Sequence, residues 1–323
     1  MSLQTGRHAH VAIVLGLLWF AAVPGSAQKN LPVGPATRPK TAELWAEPPA
    51  NRDLFFGVGG RRLAPNLKDL FKVIEIKASG YSDGYTLVDG SKREWSAKFP
   101  PEGATEVIAS RILWGIGYHQ PPAYLAASWR ADGADDPNPQ HPARFREKHP
   151  DFHGLSDQGP WEYDANPLTG TRELNALLAL QAMLGNSDLK AANNVVYTLN
   201  RPIEGASRWY VARDLGQTFG RTGVLDAPRG DIEAFEGTSF IRSIENGRVV
   251  LEYNGRHESL FDNITTGDVT WLCQRLARLT DRQWRDAFRA GGYPPALASR
   301  FIAHMKKKIA EGLQLTSNGR RRS

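Results

Sequence analysis

The chain has 323 residues, 40 Lys and Arg against 34 Asp and Glu, a net charge of +6, and 41% hydrophobic residues. That apolar fraction argues against a disordered chain, and the length fits one large or two ordinary domains. The single cysteine excludes an intrachain disulfide framework and a Cys-rich zinc site, and so small and dispersed a positive excess gives no reason to expect a nucleic-acid partner.

Arg7 and His8 precede the apolar run Val11 to Val23, and Pro24-Gly25-Ser26-Ala27 follows. A basic start, a short apolar stretch and a small-residue exit predict a signal peptide over 1–27. The run is shorter than the roughly 17–25 residues of a membrane span. The expectation is therefore an exported protein, periplasmic or extracellular, with no stable membrane span after cleavage. Residues 28–52 carry five prolines and no periodicity, which predicts a linker or an arm on the surface.

Alternation over Phe71 to Lys77 predicts a strand, Gly80-Tyr81-Ser82-Asp83-Gly84 a glycine turn, and Tyr85 to Val88 a second strand. Asp89-Gly90 signals a hairpin into a third strand, Glu94 to Phe99. Val107, Ile108, Ile112 and Leu113 share one helical face over 104–116, with Gly117 as the stop. Residues 131–164 read as an irregular insertion between a small lobe at 53–130 and a helical lobe at 165–315. Within that second lobe, 172–184 reads as a helix. Asn193 to Leu199 and Trp209 to Ala212 read as strands flanking an Arg201-Pro202 turn region. Val249 to Leu251 reads as a strand turning at Tyr253 to Arg256, and helices follow from 267, with Thr280 or Asp281 as a cap. Lys306-Lys307-Lys308 reads as a solvated helix end, and 316–323 as a basic tail.

Three separated signals carry chemistry. Lys98 ends the third strand; Asp188-Leu189-Lys190-Ala191-Ala192-Asn193 lies between a helix and a strand; Asp214-Leu215-Gly216 follows the next strand. Phosphoryl transfer needs a strand-borne lysine on the phosphates, an aspartate at the acceptor hydroxyl, and an Asn and a second Asp for Mg²⁺.

At these residues the chain resembles the protein-kinase-like superfamily. D-L-K-x-x-N at Asp188, Lys190 and Asn193 matches a catalytic loop, and Asp214-Leu215-Gly216 looks like the metal-binding D-F-G element. Asn186-Ser187 stands in place of His-Arg, no A-P-E follows Asp214, and the glycine turn is not G-x-G-x-x-G, with Asp83 inside it. These departures resemble the atypical branch, including HipA-like, phosphoinositide and secretory-pathway kinases. The resemblance implies an α+β, bilobal kinase-like fold with a small antiparallel β-rich lobe, a larger mainly helical lobe, and a nucleotide cleft between them. It implies that Lys98 contacts the phosphates, with Gly80 and Gly84 in the turn above them. Glu106, or alternatively Glu102, would be the lysine's ion-pair partner. It further implies that Asp188 orients the acceptor hydroxyl, or binds metal as in atypical kinases, that Lys190 neutralises the moving phosphate, and that Asn193 and Asp214 ligate Mg²⁺ or Mn²⁺. The donor would be ATP and the acceptor a protein or small-molecule hydroxyl. Stretches such as Ser110 to Trp114 and Asn166 to Arg172 also resemble a family of exported bacterial proteins, which implies no activity.

The remaining clusters read as structural. His141, His149, His153 and Asp151 read as loop residues, because Pro150 breaks the helical spacing a ligand pair would use. Ser26, Ser128 and Ser156 lie in no G-x-S-x-G, and no H-E-x-x-H or Walker A sequence occurs. Cys273 reads as a buried helical thiol. Export and ATP chemistry pull against each other, since little ATP lies outside the cytoplasm. A catalytically inactive binding or scaffold protein of the envelope is therefore the alternative, and nucleotidyl transfer another.

Overall fold

In a computed structural model of the chain, the residues described are 41–77, 83–133, 141–150, 152–225 and 227–319. All lie in one unit, Arg38–Ser323. The expected signal segment, Gly80, Asp151 and Arg320 to Arg322 fall outside the described residues.

The small lobe is a six-stranded sheet. β1 (Leu70–Lys77), β2 (Gly84–Val88) and β3 (Glu94–Lys98) form a meander. β4 (Tyr124–Ala126), β5 (Arg130–Asp132) and β6 (Ala143–Glu147) complete it in the order β4-β6-β3-β2-β1-β5, antiparallel except β1–β5. The hairpin expected at Asp89-Gly90 is longer than two residues. The Asp89 carboxylate accepts from the amides of Ser91 and Arg93, and the left-handed conformation falls on Lys92.

Register separates the sheet's two faces. Tyr85, Ala97 and Phe145 lie in one cross-strand row, and with Phe71, Trp95 and Trp129 they form the lobe's apolar core. One residue along, Gly84, Lys98 and Arg144 form the opposite-facing row, and Thr86, Ser96 and Arg146 the next. β6 corrects the expectation for 131–164. A segment read as irregular supplies a central strand, because the alternation Ala-Arg-Phe-Arg-Glu is a strand pattern in which arginine takes the polar positions.

α1 (Glu102–Gly115) lies between this sheet and α5 (Asp281–Ala290), which is why all of it except Trp114 is buried. The helical lobe adds α2 (Arg172–Met183), α3 (Ile232–Glu236), α4 (Thr266–Leu276) and α6 (Pro295–Gly319). It also holds the three-stranded sheet of β7 (Ser156–Asp157), β8 (Asn194–Ile203) and β9 (Ala206–Ala212), and the hairpin β10 (Ile241–Glu245) with β11 (Arg248–Leu251). Thr280 caps α5 with a reciprocal Thr–Gln box, and Cys273 is fully buried, both as expected.

Four local expectations are corrected. Leu44 packs into the helical-lobe core with Trp45 against it, and Arg52 is buried, so 41–52 is part of the fold and not a free linker. β8 runs through Arg201-Pro202, and the chain turns at Glu204-Gly205, both left-handed. The partner of β11 precedes it, across a left-handed Asn246-Gly247 turn of the kind hairpins favour. Lys308 is 2% exposed, donates from Nζ to the Met183 carbonyl at 3.0 Å, and sits over the Phe235 ring, so it is no solvated helix end. Among the described residues no helix is long and apolar enough to cross a membrane.

Candidate active site

Each candidate side chain is delivered by a short local device. β3 ends at Lys98, and Phe99-Pro100-Pro101 turns the chain straight into α1. The approach is so tight that a Cβ on Gly103 would sit 2.2 Å from the Lys98 carbonyl oxygen. Because the helix starts at once, Glu102 and Glu106, one turn apart, both reach back to the lysine. Lys98 Nζ lies 3.4 Å from Glu102 and 3.8 Å from Glu106, so both candidate partners are engaged.

The second segment leaves α2 through a left-handed Gly185. Asn186 then accepts from the Asp188 amide at 3.0 Å, and the Asn193 side chain donates to the Asp188 carbonyl at 2.8 Å, closing the loop on itself. Lys190, which is exposed, pairs with the half-buried Asp188 at 3.1 Å. Leu189 is buried and anchors the loop, and Asn193, also buried, leads into β8.

The third segment leaves β9. The Arg213 amide donates to the Asn193 carbonyl at 3.0 Å, which ties the two loops together. Asp214 adopts φ +53°, an uncommon conformation for a residue with a side chain. Gly216 then passes against α1, where Thr105 Oγ donates to its carbonyl at 2.7 Å and an added Cβ would meet Glu102 at 2.8 Å.

These segments meet in one cleft of about 330 Å³, lined by Gly84, Lys98, Asp188, Lys190, Asn193 and Asp214 together. Glu102 lines it too, and Glu106 lies just beneath, against Lys98 and Arg146. The sequence reading missed Arg144 and Arg146, which line the cleft from β6. Arg146 donates to Glu106 at 2.7 Å and to Asp214 at 3.3 Å, and Arg144 lies 3.2 Å from Glu106. Glu102 is paired with Arg229. Strand alternation through Ala143 to Glu147 was the signal that would have found both arginines. Gly84 is a strand residue packed on the Ala97 carbonyl, so it lines the cleft without forming a left-handed turn.

The electrostatics follow from this packing. Burial pushes the Asp214 carboxyl up, but Arg146, Lys98 and Arg144 outweigh it and hold the group well below the usual carboxylate range. Glu106 is likewise pushed up by burial and pulled down further by Arg144, Arg146 and Lys98. Both are therefore carboxylates near neutral pH. Among the described residues, no three His, Cys, Asp or Glu side chains gather as a metal cluster. Among the described residues, one oxygen each of Asp188, Asn193 and Asp214 nevertheless accepts no hydrogen bond. One or two carboxylates plus substrate phosphates is how Mg²⁺ is usually held, so this hard-oxygen donor set suits it.

No protein-family model matches the chain, and no curated protein matches it. Among solved structures, it is similar to the Helicobacter pylori proinflammatory kinase CtkA, at 9% identity and a TM-score of 0.46, over 77% of this chain and 96% of that one. It is also similar to HipA from a Shewanella oneidensis MR-1 toxin–antitoxin complex with HipB and operator DNA. There the identity is 12% and the TM-score 0.37, over 74% of this chain and 64% of that one. Such distant likenesses carry no argument. The chain itself has an α+β fold, with a β-rich lobe, a mainly helical lobe and a cleft lined by residues of both.

Proposed function

We propose that the protein is a kinase-like phosphotransferase. It would move the terminal phosphoryl group of a nucleoside triphosphate, ATP in the first instance, to a hydroxyl on a protein or small molecule. The observation that carries this reading is the meeting of Lys98, Asp188, Asn193 and Asp214, from separate chain segments, in one cleft. Lys98, braced by Glu102 and Glu106, contacts the phosphates. Asp188, half-buried in the cleft lining, orients the acceptor hydroxyl and takes its proton. Lys190 beside it neutralises charge on the phosphate in transit. Asn193 and Asp214 hold Mg²⁺ or Mn²⁺, which when bound shields phosphate charge. Such transfer depends on positioning and charge neutralisation, and a few fixed side chains suffice.

Asp188→Asn should abolish Mg²⁺-dependent transfer while the nucleotide still binds. Equal turnover in wild type and variant would remove Asp188 from this role. Export belongs to the same proposal and rests on the segment 1–27; a reporter fused behind it and found active only in the cytoplasm would refute it. A second reading, an inactive scaffold, draws support from the grip of Arg146 and Lys98 on Asp214. It predicts unchanged function in cells when Asp188 and Asp214 are both replaced.

A further inference from the structure

The C-terminal end of α2 feeds the loop that carries Asp188, and helix ends leave carbonyls that need donors. Those of Leu180, Gln181 and Ala182 accept from the amides of Leu184, Asn186 and Gly185 at 2.9–3.0 Å. The Leu184 carbonyl accepts from the Phe219 amide at 2.7 Å, which binds the loop to the segment after Asp214. Of these carbonyls that of Met183 alone takes a side-chain donor: Lys308 Nζ donates to it at 3.0 Å.

Lys308 reaches this point from α6, and it is a costly donor. It is buried, and taking an ammonium out of water costs far more than burying a neutral N–H. The carboxylates that attract it are engaged elsewhere. Glu311 accepts from the amides of Phe240 and Ile241, and Glu252 pairs with Arg242 at 3.8 Å. The Phe235 ring, 4.3 Å from Nζ, offsets part of the cost, and so does the partial negative charge of a helix C-terminus. Phe235 itself packs on Phe219 at 5.7 Å. One ammonium thus touches the end of α2, ahead of Asp188, and the aromatic support of Phe219, beyond Asp214.

We infer that Lys308 is a positioning residue for the phosphotransfer site, fixing the end of α2 and through it the loop that holds Asp188. The inference rests on the phosphotransfer reading and adds to it a residue outside the cleft. The link from contact to rate is geometric. Without the ammonium the carbonyl of the fully buried Met183 loses its donor, and the last turn of α2 must shift to find another. That shift passes through Leu184 to Asp188 and to Phe219. A displacement of about 1 Å in a group that must face the acceptor hydroxyl can cost about a hundredfold in rate.

The test is Lys308→Met in the full chain, which removes the donor and keeps an unbranched side chain of similar length. By hydrogen exchange, the amides of Gly185, Asn186, Asp188 and Phe219 should exchange about tenfold faster than in wild type, while those of α5 should be no faster. In Mg²⁺-dependent turnover of ATP, with water as the acceptor, kcat should fall about tenfold while the KM for ATP stays within about twofold. Unchanged exchange in the loop would overturn the inference. A rise spread evenly over the chain would also overturn it, because that marks a purely structural role. Faster loop exchange with an unchanged kcat would overturn it too and leave phosphotransfer standing. A wild-type protein that neither binds nor turns over ATP would overturn the phosphotransfer reading, and the exchange rates would still decide whether Lys308 holds the loop.

Discussion

The cleft and the helical core bury comparable side chains by opposite means. Around Phe219 the helical lobe packs Phe235, Phe288 and Phe301 with ring centroids 5.4–5.7 Å apart, and almost nothing there needs a partner. Under the cleft, Glu106 and Arg144 are buried and Arg146 is partly so, and each depends on the others for its charge. Apolar packing stabilises wherever it is dry. A buried ion network recovers with difficulty the cost of leaving water, and an apolar replacement is often as stable. A fold that needed only stability would not keep arginines there. The contrast marks the cleft as the part of the molecule shaped by chemistry.

Single substitutions can break this contrast. Glu106→Gln leaves the buried Arg144 guanidinium without its carboxylate and Arg146 with Asp214 alone, and should cost about 3–5 kcal/mol. Phe219→Ala should cost a similar amount through its cavity, so the two separate by pH. Glu106 and Asp214 are both held below their ordinary values of 4.5 and 3.8. Their contribution is present above those values and is lost as the pH falls below them. Acid unfolding curves should show Glu106→Gln losing much of this acid sensitivity, while Phe219→Ala shifts downward in parallel at all pH values. Parallel behaviour of the two would mean the cleft network stabilises no differently from the core.

A lysine buried in the helical core, Lys308, sharpens the contrast with a smaller effect of opposite sign. Burial pushes Lys308 down to about 7 from 10.5 against the pull of Glu311 and Glu252. Between those values the unfolded chain binds the extra proton, so stability should rise with pH across about 7 to 10.5. Lys308→Met should flatten that slope and gain roughly 1–2 kcal/mol at pH 7, read by thermal melts. A loss of stability would mean that the bonds to Met183 and Phe235 outweigh burial.

Much of this architecture was legible in the sequence where one residue pattern maps onto one element. The strands around Tyr85 and Trp95, the α1 periodicity and the Thr280 cap are local, and the structure has them where periodicity and capping chemistry place them. The cleft residues were legible through their order along the chain. Arg144 and Arg146 were not, because a short strand with arginines at its polar positions, between Pro-rich loops, looks like loop composition. The turns at Glu204-Gly205 and Asn246-Gly247 were misplaced for a related reason. Arg201-Pro202 and Tyr253-Asn254-Gly255 carry stronger turn residues, and pairing with distant strands decided against them.

The central claim is that the cleft is a metal-assisted phosphate site organised around Asp214. Thermal stability measured with and without millimolar ATP tests it most directly, in the presence and absence of Mg²⁺ or Mn²⁺. The account predicts a rise in melting temperature that needs both nucleotide and metal and disappears in Asp214→Ala. A rise that is unchanged in Asp214→Ala, or no rise in the wild-type protein, would contradict it.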